Sequence, residues 1–148
     1  MTDDWDRVDT GAPDASLLAS VRTVAENYDP LVTATEFDNP LNPEAVHLYL
    51  DDGIADESGR LDVTWTDKGY YRYHYTEGDD FNYRYDCHPR VELPDAHFHE
   101  PPNAAHNDAV PSCIEVSTVR LVTLAVLQLW RDAVESGDLS QLQQLDPP

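Results

Sequence analysis

Apolar positions keep helical spacing in two stretches of the chain and alternate in the region between them. Over Ala15–Tyr28, the residues Leu17, Leu18, Val21, Val24, Ala25 and Tyr28 fall on one stripe, which predicts an amphipathic helix. Asp14 is placed to cap its start, and Pro30 closes it. Leu31–Phe37 is β-branched in part and reads as a strand, DNPLNP as turn chemistry, Val46–Leu50 as a second strand and DDGIADESG as a loop. Arg60–Thr66, Tyr70–Thr76 and Phe81–Asp86 then alternate, separated by Asp67-Lys68-Gly69 and by EGDD, which predicts a three-stranded antiparallel meander. Residues 87–113 are rich in Pro, His, Asn and Ala, with one short extended piece at Ala96–His99. The strongest helical pattern runs from Val116 to Glu135, with Val119, Val122, Val126, Leu127 and Trp130 on one face and Gly137 as its C-cap. LSQLQQL adds a short helical turn before Pro147.

This order predicts an α+β fold: the meander plus one or two further strands, packed by an N-terminal helix and a long C-terminal helix. Residues 1–13 read as a flexible acidic arm, and residues 14–148 as a single domain.

Alternation also sorts the meander by face. Tyr71, Tyr73, Tyr75, Phe81, Tyr83 and Tyr85 share one face; Arg72, His74, Asn82, Arg84 and Asp86 share the other. A hairpin centred near Gly78 would pair Tyr75 with Phe81, Tyr73 with Tyr83 and Tyr71 with Tyr85. The aromatic ladder then either packs on the helices or offers stacking surface to single-stranded nucleic acid. The same register sets Arg72 opposite Arg84. Two guanidinium groups there need a bridging anion, either the Asp86 carboxylate or a bound phosphate.

Composition changes the picture in two ways. Three Trp, eight Tyr and three Phe exclude wholesale disorder. A net charge of −20 excludes a default basic nucleic-acid binder and an anionic membrane surface as partner. Eight Arg against one Lys, with 29 acids, reads as adaptation to a salt-rich cytoplasm; an acidic nucleic-acid mimic is the rival. No apolar run approaches a membrane span, and the acidic start MTDDWDRVDTGAPD lacks the apolar core of a signal peptide, so a cytoplasmic location is expected. The charge is not evenly spread. Residues 60–90 hold five of the nine basic residues and six acids, a net of −1, against −12 over 1–59 and −7 over 91–148.

Five of the six histidines, His74, His88, His97, His99 and His106, follow in or just after this near-neutral segment. His74, His97 and His99 are candidates for general acid–base work, with Asp86 as orienter and Arg72 and Arg84 as phosphate-binding groups. Those are the parts of a metal-independent ribonuclease that needs no cofactor. Cys87, His97, His99 and Cys113 form an alternative zinc set, though their spacing fits no standard module. A disulfide between the two cysteines is not expected in this compartment.

The run from RLDVTW through YYRYHYTEGDDFNYRYDCHPRVELPDAHFHEPP to the apolar helix resembles the TumE-like toxins of prokaryotic toxin–antitoxin modules. The shared features are Tyr73 and His74, then Arg84, Tyr85, Asp86 and Pro89, then the His97-Phe98-His99 pair, over about residues 60–135. In Cys87-His88-Pro89-Arg90 the histidine precedes the proline, where the family pattern has it following. The resemblance implies a toxin or a stand-alone relative, acting on RNA, with an antitoxin protein as partner; a homodimer is one assembly open to the chain. The alternatives are a non-catalytic binding module and a small metal-binding protein.

Overall fold

The computed structural model describes residues 10–89, 95–104 and 109–144. Helix α1 spans Ala15–Tyr28 and α2 spans Val119–Ser136. Between them lie β1 (Val32–Phe37), β2 (Val46–Leu50), β3 (Gly59–Trp65), β4 (Tyr71–Glu77), β5 (Phe81–Cys87), β6 (Ala96–His99) and β7 (Val110–Pro111). All seven strands pair antiparallel with their sequence neighbours in one sheet, ordered β1 to β7. The α+β class with a helix at each end stands. The sheet is larger than expected, because four strands flank the meander instead of one or two. β7 is only two residues long and carries no periodic signal.

Helix boundaries follow local chemistry. The Asp14 carboxylate accepts from the backbone N–H groups of Ser16 and Leu17, the bonds an N-cap supplies. α2 starts three residues later than its apolar pattern suggests, at Val119 after extended Thr118. Gly137 ends it in the left-handed region at φ 70°, its N–H bonded to the Ala133 carbonyl. Of the predicted arm, residues 1–9 lie outside the described residues. Residues 12–14 are held to the β3–β4 hairpin: Asp67 donates its N–H to the Ala12 carbonyl and Asp14 donates to that of Trp65.

The helices cover the aromatic face. Tyr73, Tyr75, Tyr83, Tyr85 and Phe98 are all buried there with Trp65 and Trp130, so the ladder is not open to stack on bases. Two chains of hydrogen bonds tie it to α2. Trp65 donates to the Tyr73 hydroxyl at 2.9 Å, which lies 2.6 Å from Thr123 Oγ1, and Thr123 donates to the Val119 carbonyl. Trp130 donates to the Tyr75 hydroxyl at 3.2 Å, and Tyr75 donates to the Glu77 carboxylate.

The β4–β5 register differs from the expected one by two residues. Tyr75 pairs with Tyr83, Tyr73 with Tyr85, and Glu77 with Phe81. The turn is shorter because Glu77 stays in the ladder. Its buried carboxylate also accepts from the N–H groups of Ala55 and Asp56, clamping the β2–β3 loop. A two-residue slip preserves which face each side chain takes but changes its partner. Arg72 therefore lies opposite Asp86, not Arg84, and His74 opposite Arg84.

Candidate functional site

The sheet face away from the helices carries two cross-strand rows of polar side chains. One row runs His47, Asp62, His74, Arg84, His99; the next runs Thr64, Arg72, Asp86, His97. Asp86, 1% exposed, is the node between them. Arg84 Nε donates to its Oδ2 at 2.8 Å. Arg72 Nε sits 3.3 Å from Oδ1, an ionic contact without the alignment of a hydrogen bond. His99 Nε2 lies 3.1 Å from Oδ2 and also 3.1 Å from Arg84 Nη2. His97 and His88 approach Oδ2 less closely, at 3.6 and 3.9 Å.

Burial by itself would raise the Asp86 pKa. The nearby His97 and His99 rings and the charges of Arg84 and Arg72 outweigh it, holding the carboxyl well below the usual carboxylate range. Burial pushes His88 the other way, below its ordinary value, favouring the neutral ring.

All six predicted site residues thus share one face, and five of them gather at one carboxylate. The Asp86 carboxylate contacts both arginines. Exposure separates the residues further. His97 and His99 are fully buried, whereas the Arg72 side chain is 45% exposed. Arg72 lines an open cleft of about 110 Å³ with Thr10, Thr64, Thr66, Tyr70 and His88. His74 is half-buried, and its Nε2 lies 3.0 Å from Asn82 Oδ1.

The cysteine–histidine set does not assemble. Cys87 pairs with Tyr71 and Ala96, one residue out of phase with Asp86 and His97, so it faces the core. Burial pushes the Cys87 thiol up to about 11. His106 and Arg90 lie outside the described residues. His88 was missed as a site residue. Its signal was parity, since it follows Asp86 by two positions and so stays on the same side of the chain.

The family model for toxin TumE matches residues 21–135. The chain belongs to the TumE toxin family. The match reaches back from the motif-bearing strands through β2 and β1 into α1, so residues 21–59 are also part of the TumE pattern. No curated protein and no solved structure matches the chain. Among the described residues, no helix of this TumE-family chain is long and apolar enough to cross a membrane.

Proposed function

We propose that this TumE-family toxin is a ribonuclease that cleaves by attack of the RNA 2′-hydroxyl, with no metal in the chemical step. The observation that carries the reading is the pair of guanidinium groups, Arg72 exposed and Arg84 largely buried, held on one sheet face by one buried carboxylate. Arg72 and Arg84 flank Asp86 and are fixed in direction by it, a preorganised arrangement for a phosphate and for the extra charge of its transition state. His74, opposite Arg84 in the ladder, is the general base. Donation from its Nε2–H to Asn82 leaves Nδ1 with a lone pair. The O2′–P bond forms as the P–O5′ bond breaks. The 2′-hydroxyl proton passes to His74 Nδ1, water protonates the leaving oxygen, and a 2′,3′-cyclic phosphate results. His97 and His99 are buried, so they serve as positioning residues around Asp86 and Arg84.

The activity resides in one domain, residues 14–148, and works in a salt-rich cytoplasm with an antitoxin protein as partner. Purified chain is incubated with RNA in molar KCl and the product ends are analysed. Cyclic phosphate ends are expected, with none from a strand carrying a 2′-deoxy sugar at the cut site. His74→Ala should lower the rate about 10²–10⁴-fold, and Arg72→Ala should lower it as well. Absence of cleavage, or cleavage indifferent to both substitutions, rejects the reading and leaves a non-catalytic binding module.

A further inference from the structure

His97 is fully buried, yet its Nε2 has no hydrogen-bond partner among the described residues. Its other ring nitrogen, Nδ1, lies 3.1 Å from the Asp95 carbonyl, so Nδ1 carries the proton and Nε2 presents a lone pair. The His88 Nδ1 likewise lies beside a backbone carbonyl, that of Pro89, at 3.2 Å. Both Nε2 atoms point toward Asp86 Oδ2, at 3.6 and 3.9 Å, and the two rings stand edge to face at 4.6 Å. Two imidazole nitrogens and one carboxylate oxygen therefore converge in this buried cluster, each nitrogen beyond hydrogen-bond distance of the carboxylate. They are spaced as ligands of one ion. Bonds of about 2.0–2.1 Å to a tetrahedral zinc ion put neighbouring ligand atoms roughly 3.4 Å apart. One ligand atom from each of Asp86, His88 and His97 lies within 4.8 Å of the other two.

We propose that Asp86, His88 and His97 bind one divalent cation of the zinc class. Two imidazoles and one carboxylate suit such a borderline ion, and a backbone carbonyl behind each Nδ1 is the support that fixes a metal-binding tautomer. Arg72 and Arg84 approach the same carboxylate and compete with the cation for it. Their charge lowers the affinity below that of a site with a neutral surround. The ion lies out of solvent behind the arginines and joins the end of β5 to β6. Its role is structural, so the inference stands apart from the ribonuclease reading, and no RNA enters its test.

The full chain is stripped with chelator, dialysed, and titrated at neutral pH with zinc by calorimetry and with cobalt by absorption. One cation per chain and a raised melting temperature are expected. His97→Ala and His88→Ala should each weaken binding by at least about 10–100-fold. His47→Ala removes an imidazole from the same face, outside the cluster, and should bind as the parent does. If His97→Ala does not fold, His88→Ala at the strand end supplies the readout. No saturable binding to the folded parent overturns the proposal, as does binding that survives the His88 or His97 substitutions. Nitrogen NMR showing His97 Nε2 protonated and unmoved by zinc does so too.

Discussion

Tyr83 and Tyr85 sit two residues apart on one face of β5 and are equally buried, but their hydroxyls differ. Tyr85 donates to the Leu142 carbonyl at 2.6 Å; the Tyr83 hydroxyl has no partner among the described residues. An unpaired buried hydroxyl costs its desolvation without return, whereas a paired one roughly breaks even or gains. Tyr83→Phe should accordingly leave stability unchanged or raise it by about 1 kcal/mol, and Tyr85→Phe should lower it by about 1 kcal/mol, leaving the Leu142 carbonyl only the weak Cys113 Sγ donor at 3.8 Å. Denaturant unfolding of both variants checks the difference; equal effects would show that the two hydroxyls have equivalent surroundings. The sequence put both rings on the buried face, because alternation decides that locally. Which phenol finds a partner was hidden, because Leu142 comes from a 3-10 turn far along the chain. The same limit applied to Asp86: its strand and face could be read, but the gathering of Arg72, Arg84, His88, His97 and His99 around it depended on register.

At the scale of elements, α1 was legible to the residue because its cap and its stop are local. The Asp14 cap also carries a pH dependence. Its pKa is lowered in the fold, chiefly by the Ser16 side-chain hydrogen bond and then by the Leu17 N–H. A carboxylate stabilised in the native state contributes above its unfolded pKa and loses that contribution as pH falls through the folded value. Asp14→Asn keeps a capping side chain that does not titrate. The parent should therefore exceed this variant in stability near neutrality, and the gap should close in acid, below roughly pH 4. Thermal melts of the two proteins across that range test the sign; a gap that widens in acid contradicts it. The β4–β5 hairpin was less legible. Alternation fixes faces, but two registers that differ by two residues give the same faces. The choice between them came from Glu77, whose partners Ala55 and Asp56 lie on a distant loop.

For the whole molecule, the governing quantity is a charge of −20 on 148 residues. Self-repulsion of that size destabilises a compact chain until salt screens it, and the screening length falls from about 10 Å at 0.1 M to about 3 Å at 1 M. The melting temperature should rise as KCl is raised from low concentration to the molar range, and a melting temperature indifferent to KCl would remove the salt-rich reading.

The sequence alone determined the helices, most strands, the face of each strand residue and the near-neutral segment that houses the site. Each of these follows from spacing, capping or charge, which act over a few residues. Only the tertiary structure decided the register, the seven-strand sheet, the burial of His97 and His99, and the single carboxylate to which the arginines and histidines turn. Those outcomes rest on contacts between segments far apart in the chain. Local propensity does not encode them, and close packing around Glu77 and Asp86 selects one arrangement among several with the same pattern.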